Sequence, residues 1–251
     1  MTKRFLICGD SWGVGAYRYI GNPPVSIEPI ANTGLDYYLT QSGHVVTNIA
    51  KGNASNFLQL KELATVLETD NNYYYVIWFQ TEPNRDIINT VLGNKLESAI
   101  QYPQFDITDF SKCMSYIKDR NYYYAQCVYD KFKVPFIVVG GLSSIDPTIK
   151  NYSFPAAVIP NWLDDITDSQ YDLAENMHQD NMLTVLTNFT NVDKVYMVEE
   201  LDKMKVIEDA LETHPNFSNG VHPNAQQFEI LTSRLLGELG LPYQASLYTS
   251  A

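Results

Sequence analysis

Short apolar runs alternate with longer segments of helical spacing along this sequence, and that alternation limits the possible folds more than any other feature. Five runs have the length and composition of strands, at 5–8, 44–49, 73–79, 134–139 and 195–198. Five segments have helical spacing, at 35–41, 57–67, 110–132, 171–189 and 224–239. Alternating β and α segments favour parallel strands joined by helical crossovers, with helices on both faces of the sheet. We therefore expect an α/β fold, a three-layer α/β/α sandwich.

Chain length and composition indicate a single domain. The 251 residues, 45% of them hydrophobic, suffice for one large core, so we expect one domain over 1–251. Three proline-containing stretches interrupt the alternation, at 22–29, 82–106 and 142–168, and are expected to be loops or insertions. Each follows the carboxyl end of a strand, the edge at which open parallel sheets bind ligands. These loops are expected to wall the functional site.

Charge and hydropathy exclude two classes of partner. The net charge of −12 argues against nucleic acid, because phosphate backbones are bound by clustered lysine and arginine. The first apolar run is too short for a signal peptide, and no run approaches the roughly 20 apolar residues of a membrane span. We expect a cytoplasmic protein without a membrane partner, and the acidic, Asn- and Tyr-rich composition suits a phage-encoded one. The sequence leaves the oligomeric state open.

A glycine-bounded serine follows the first strand, where residues 9–13 read Gly-Asp-Ser-Trp-Gly. The turn is not a phosphate-binding loop, because the Lys-Ser/Thr of a P-loop is absent and Arg18 stands where a dinucleotide fingerprint needs glycine. Its glycines suit a tight turn that projects Ser11 from the strand tip, with backbone N–H groups directed at an oxyanion. Asp10 is expected to cap this turn rather than to transfer protons.

A histidine lies in a Gly/Pro loop before the last helical segment, where residues 219–223 read Asn-Gly-Val-His-Pro. A serine at a strand tip and a histidine held in a loop are the pair that an acyl-transfer site brings together. His214 also precedes a proline, but only His222 has the Asn-Gly-Val sequence before it and a helix directly after it. We take His222 as the candidate base.

Two further polar turns follow the second and third strands, at 48–56 and 80–86, and each taken alone is only a loop. With the serine and histidine turns they form four blocks that resemble the SGNH, or GDSL-type, esterase and lipase superfamily, in order over nearly the whole chain. The resemblance implies a flavodoxin-like parallel five-stranded sheet, Ser11 as nucleophile and His222 as general base. It also implies an oxyanion hole made by the Ser11 amide, a glycine amide of the second block and an asparagine side chain of the third. It requires no metal or organic cofactor.

The sequence departs from the family pattern at the residue that orients the histidine. The family has aspartate where Asn219 stands. Asparagine can orient the imidazole but lacks the charge that stabilises imidazolium, and the same change in serine proteases costs about 10⁴ in turnover. The site therefore works as a dyad aided by another carboxylate, such as Glu212, or it is slow.

The oxyanion residues are also ambiguous. Gly52 is the natural family glycine, although an alignment on the following residues would place Asn53 there, and asparagine tolerates left-handed backbone. The Gly-x-Asn-Asp of the third block is absent. Asn84 can supply the side-chain amide, and Gln80 is the substitute if Asn84 points away. Charged residues nearby, Asp86 among them, fit either a solvated rim or a supporting layer behind the site.

These residues predict a serine esterase that hydrolyses small acyl esters, with O-acetyl groups on carbohydrate favoured because no extended apolar lid is evident. The partner is then a small-molecule or carbohydrate ester. Two alternatives use the same fold: a non-catalytic carbohydrate-binding or structural protein, and an acyltransferase in which a sugar hydroxyl replaces water.

Overall fold

The computed structural model describes residues 2–20, 26–52, 54–81, 83, 86, 107–141, 144–167, 214–218 and 222–243. The strands are β1 Arg4–Gly9, β2 Tyr17–Ile20, β3 Ser26–Pro29, β4 Val45–Asn48, β5 Tyr75–Gln80, β6 Phe136–Gly140, β7 Pro155–Ile159, β8 Phe217–Ser218 and β9 His222–Pro223. The α-helices are α1 Ser11–Val14, α2 Leu35–Gln41, α3 Asn56–Thr69, α4 Ile107–Phe132, α5 Trp162–Ile166 and α6 Ala225–Glu238, with a 3₁₀ helix at Pro147–Asn151.

Five of these strands form one sheet in the order β4-β1-β5-β6-β7. Every neighbouring pair in this sheet is parallel. The first strand of the chain therefore lies inside the sheet, between the second and third of its strands, which is the flavodoxin-like order. The carboxyl ends of β1, β4 and β5 meet at one edge, and the turns that follow them carry the polar blocks identified in the sequence.

Alternate side chains of the sheet enter two separate cores. One core joins α2, α5 and α6 to one face through sheet residues that include Phe5, Ile7, Ile77 and Val139. The other joins α3 and α4 to the opposite face through Leu6, Cys8, Trp78 and Val138. Because side chains in a strand point alternately to the two faces, adjacent residues of β1 belong to different cores. The three-layer α/β/α sandwich is confirmed.

Two of the covering helices, α3 and α6, begin at side-chain caps. The hydroxyl of Ser55 accepts from Leu58 N–H at the start of α3, and the side chain of Asn224 accepts from Gln227 N–H at the start of α6. On α6 the face expected from the sequence is buried, with Leu239 partly buried beside it. None of the described helices combines the length and the apolar character needed to cross a membrane.

The fifth strand of the sheet lies where the sequence analysis expected a loop. The interpretation of 142–168 as a loop or insertion was wrong for Pro155–Ile159, which pairs with β6 as the edge strand β7. Its first residue is proline and two alanines follow, so the run lacks the bulky apolar pattern of a strand. Proline is tolerated there because it begins an edge strand. The predicted strand 195–198 and helix 171–189 lie outside the described residues, as does nearly all of 82–106.

A hairpin occupies part of the first predicted loop. Ser26–Pro29, within the expected loop 22–29, pairs antiparallel with Tyr17–Ile20, and Tyr17 lies opposite Pro29. The prolines concealed this strand in the sequence. In a two-stranded ribbon each strand has an unpaired edge, so Pro29, which lacks an N–H, can be the last residue of a strand.

Candidate active site

Ser11 occupies the first position of α1, immediately after the inner strand β1. Asp10 is the N-cap of this helix, and its Oδ1 accepts from Trp12 N–H at 3.0 Å. The capping role expected for Asp10 is thus present. As a first-turn residue Ser11 has an amide without an intrahelical partner, which suits a group that would bind an oxyanion. Trp12 anchors the turn by packing edge-on against Trp162.

Two glycines of this turn are required by close packing. Gly9 has φ +146°, and a Cβ placed on it would lie 2.6 Å from Cβ of Phe79. A Cβ on Gly13 would lie 2.8 Å from Cβ of Ala50. No side chain fits at either distance, so the serine turn is pressed against the ends of β4 and β5. Close packing therefore requires glycine at two of the five positions of the Gly-Asp-Ser-Trp-Gly sequence.

His222 lies in the short strand β9, which pairs with β8 so that Ser218 faces His222. The imidazole is buried, with 6% of the residue exposed. Pro223 follows, and Asn224 then starts α6 while its Nδ2 donates to the Pro215 carbonyl at 2.7 Å. The histidine is thus held in a hairpin strand just before a helix, where the sequence analysis expected a loop before the helix.

The fold brings the serine and histidine segments together. Cα atoms of α1 and of β9 lie within 8 Å of each other, although the sequence separates them by most of the chain. A hydrogen bond across 201 positions supports the same approach, because Tyr17 N–H donates to Ser218 Oγ at 3.0 Å. Ser218 Oγ in turn bonds the His222 carbonyl at 3.0 Å. The start of the chain and the histidine hairpin form one connected unit.

Tyr17, which the sequence analysis did not single out, lies between the candidate residues. Its ring centroid is 4.0 Å from that of His222, with 31° between the planes. Its hydroxyl lies 3.7 Å from the position of a Cβ on Gly52. Burial, and then the charge of Asp10, raises the pKa of Tyr17. No sequence pattern marks this tyrosine, because its contacts come from the unexpected hairpin.

Gly52 lies in an exposed turn after β4, on the side of the site that carries the Tyr17 hydroxyl. The turn is fixed on both sides, since Lys51 N–H donates to the Gly9 carbonyl at 3.1 Å and Ala54 N–H donates to the Lys51 carbonyl at 3.2 Å. Its second candidate, Asn53, lies outside the described residues. Gly52 stays the oxyanion candidate of this block.

The described residues of the third block, Gln80 and Asp86 among them, are buried. Gln80 is buried, and its Oε1 accepts from the Tyr122 hydroxyl at 3.2 Å, within the layer of α4. Asp86 is also buried, accepts from Phe57 N–H at 2.9 Å and pairs with Arg120 at 3.2 Å. Asp86 is therefore no part of a solvated rim. It caps the start of α3.

Several predicted residues lie outside the described part of the chain. They are Asn219, proposed to orient the imidazole, Glu212, its possible replacement, and Asn84, the side-chain oxyanion donor. His214 is described, and its Nδ1 accepts from Asn216 N–H at 3.2 Å while its ring packs edge-on against Phe217. Those contacts give His214 a place in the turn that leads to β8.

Solved structures resemble this fold along nearly its whole length. Est24 from Sinorhizobium meliloti, a carbohydrate acetylesterase, is 10% identical, with TM-score 0.47 and coverage of 95% of this chain and 99% of that one. A catalytic mutant of Axe2, an acetylxylan esterase from Geobacillus stearothermophilus, is 14% identical, with TM-score 0.42 and 97% of both chains covered. The lipase Lip_vut3 from a goat rumen metagenome is 14% identical, with TM-score 0.45 and coverage of 97% and 100%.

No family model matches the sequence, and no curated protein matches it. The structural likeness is one of overall fold and does not extend to substrate. The sheet order and the placement of the two motifs define an α/β sandwich with its candidate site at the carboxyl edge. In this sandwich Ser11 lies two residues after the first strand, and His222 lies three residues before α6.

Proposed function

We propose that this protein is a serine esterase that uses Ser11 and His222. The observation that carries the proposal is the approach of α1, which begins with Ser11, to β9, which begins with His222. An acyl-transfer site needs a nucleophile beside a base, and the closeness of these two segments supports that pairing. The tight packing of Gly9 and Gly13 holds the serine at the carboxyl edge of the sheet.

The reaction follows from these positions. Ser11 Oγ attacks the ester carbonyl carbon as His222 takes its proton, and the carbonyl oxygen becomes an oxyanion. The amides of Ser11 and Gly52 and the side chain of Asn84 are the proposed donors to that oxygen. The C–O bond to the alcohol then breaks and His222 returns the proton to the leaving oxygen. Water cleaves the acyl-enzyme in the same two steps, with Asn219 orienting the imidazole.

The proposed substrates are small acyl esters, with O-acetyl groups on carbohydrate as the favoured class. Two polar groups lie near the candidate residues: the Tyr17 hydroxyl, which faces the turn at Gly52, and the Asp10 carboxylate, whose charge acts on Tyr17. Such surroundings suit an acetyl group on a hydroxyl-rich alcohol better than a long acyl chain, which needs apolar surface to leave water.

Hydrolysis of 4-nitrophenyl acetate tests the proposal directly. Turnover is expected in the wild type and is expected to fall at least 10³-fold in Ser11→Ala. Ser233→Ala is the matched control, because Ser233 is exposed on α6. Equal rates in wild type and Ser11→Ala would refute a serine mechanism and favour a binding protein on this fold.

A paired histidine substitution tests the base. His222→Asn is expected to abolish turnover, whereas His214→Asn keeps an acceptor for Asn216 N–H and is expected to preserve it. Loss of activity in both variants to the same degree would remove the distinction between them.

A series of 4-nitrophenyl esters from acetate to octanoate measures the preferred acyl length, with the highest kcat/KM expected for acetate. Product analysis with an added sugar acceptor separates hydrolysis from acyl transfer.

A further inference from the structure

The contact between Tyr17 and His222 is the closest ring contact at the candidate site. The two centroids lie 4.0 Å apart and the planes are inclined by 31°. Tyr17 is 7% exposed and His222 is 6% exposed, so water cannot take the place of either ring at this contact. The imidazole therefore has a face fixed against an aromatic ring.

Tyr17 is itself fixed at three points. Its N–H donates to Ser218 Oγ, which bonds the carbonyl of His222. Its backbone pairs with Pro29 in the β2–β3 hairpin. Its hydroxyl end reaches the turn at Gly52, 3.7 Å from where a Cβ would lie. The same residue thus contacts the backbone that carries the base, the ring of the base and the turn of the proposed oxyanion donor.

The dipole of α6 and the charge of Asp10 bear on the protonation of His222 and Tyr17. The amino end of α6 begins three residues after His222, and its positive dipole end disfavours an imidazolium. Asp10 bears a negative charge near Tyr17. Burial and that charge keep the phenol protonated, because they raise the pKa of Tyr17.

We propose that Tyr17 is the positioning residue of His222: its ring fixes the imidazole plane, and its π face stabilises the imidazolium that forms when Ser11 attacks. An aromatic face attracts a cation placed over it. The position usually held by a charged aspartate carries Asn219, so the site has less negative charge to stabilise that cation. The inference rests on the proposed esterase function and assigns to the hairpin a part in the chemistry.

Two substitutions separate the ring from the hydroxyl. Tyr17→Phe keeps the aromatic face and is expected to retain at least half of kcat. Tyr17→Leu removes the face and is expected to lower kcat about tenfold, with KM within about twofold, because the ring acts on the cation formed during reaction and not on bound ester. Tyr19→Leu, on the exposed part of the same strand, is the matched control and is expected to leave both constants unchanged. Equal damage in Tyr17→Phe and Tyr17→Leu would overturn the inference.

A titration of His222 in the resting protein gives a readout that a merely structural role would not move. NMR signals of the imidazole, assigned by their loss in His222→Asn, are expected to give a pKa lower by about 0.5 to 1 unit in Tyr17→Leu than in wild type. Tyr17→Phe is expected to match the wild type within about 0.2 unit on the same grounds. An unchanged pKa in a folded Tyr17→Leu protein would overturn the inference. Tyr17→Met, a flexible apolar replacement, serves for the same titration should circular dichroism show that Tyr17→Leu does not fold.

The titration and the turnover assay test the role of Tyr17 and the proposed function separately. A lowered pKa in a protein whose hydrolysis is unaffected by Ser11→Ala would refute the proposed function while leaving the ring contact established. Serine-dependent turnover with an unshifted pKa and an unchanged kcat in Tyr17→Leu would refute the role of Tyr17 alone.

Discussion

The side chain of Asn56 and the backbone of Thr81 exchange two buried hydrogen bonds. Asn56 Nδ2 donates to the Thr81 carbonyl at 2.8 Å, and Thr81 N–H donates to Asn56 Oδ1 at 3.0 Å. Asn56 is the first residue of α3, and Thr81 directly follows β5. The amide therefore joins the two turns that carry the second and third blocks of the candidate site.

Asn56→Asp is expected to destabilise the protein by about 2 to 3 kcal/mol, because a carboxylate oxygen would face the Thr81 carbonyl in a buried place. Urea unfolding followed by circular dichroism measures the change. Asn71→Asp, in an exposed turn, is the control and is expected to stay within about 0.5 kcal/mol of wild type. Similar values for both variants would show that the Asn56 bonds contribute little.

Two glycine substitutions are expected to change stability in opposite directions. Gly9→Ala places a Cβ 2.6 Å from the Phe79 side chain at a positive φ, and is expected to cost more than about 3 kcal/mol. Gly237→Ala meets open space in α6 and is expected to stabilise by about 0.5 to 1 kcal/mol. Thermal unfolding of both proteins compares them. A mild effect of Gly9→Ala would mean that β5 can retreat from the serine turn.

Gly52 is expected to tolerate a methyl group but not a branched side chain. Among the described residues, a Cβ there meets the Tyr17 hydroxyl at the ordinary contact distance of 3.7 Å, and the backbone amide is retained. Gly52→Ala is therefore expected to keep kcat/KM within about threefold, whereas Gly52→Val, whose methyl groups reach the hydroxyl, is expected to lose about tenfold or more. Steady-state kinetics on 4-nitrophenyl acetate measure both. An inactive Gly52→Ala protein would contradict the geometry of this turn.

His44 is expected to make stability fall at acidic pH. Burial, and then nearby positive charge that includes Lys3, lowers the pKa of His44. In the unfolded chain a histidine titrates near about 6.5. Its contribution to the free energy of unfolding is therefore complete above that pH and is lost as the pH falls toward the lower folded value. Urea unfolding at several pH values from 5 to 8 measures this loss.

His44→Asn is the variant that isolates this effect. It retains an acceptor for Lys3 N–H, which donates to His44 Nδ1 at 3.3 Å, and removes the titration. The difference in stability between wild type and His44→Asn is expected to shrink or reverse below about pH 6.5. A difference independent of pH would show that His44 titrates alike in the folded and unfolded chain.

Most of the sheet could be predicted from the sequence because its inner strands are buried on both faces. Runs such as Phe136–Gly140 are apolar throughout, and few other structures accommodate such runs in a chain of this kind. The strand Pro155–Ile159 could not be recognised, since an edge strand admits proline and alanine and so lacks that signal. Local apolar pattern identifies a strand only where packing demands it.

Some residues of the candidate site could likewise be predicted from the sequence, and others could not. Ser11 and His222 stand in short motifs that contain glycine or proline, and such motifs are visible in a sequence. Tyr17 is placed by a hairpin and by a bond to Ser218 on the far side of the chain. A contact that depends on two distant segments leaves no local pattern, so the ring over His222 could be found only in the structure.

The bond between Tyr17 and Ser218 also sets an order in time. The two residues are 201 positions apart, so at about 5 to 20 residues per second a ribosome needs on the order of 10 to 40 s to make the second after the first. During that interval the nascent chain holds its serine turn without its histidine. Under the proposed mechanism, a newly made molecule would acquire hydrolytic capacity only when the histidine hairpin docks.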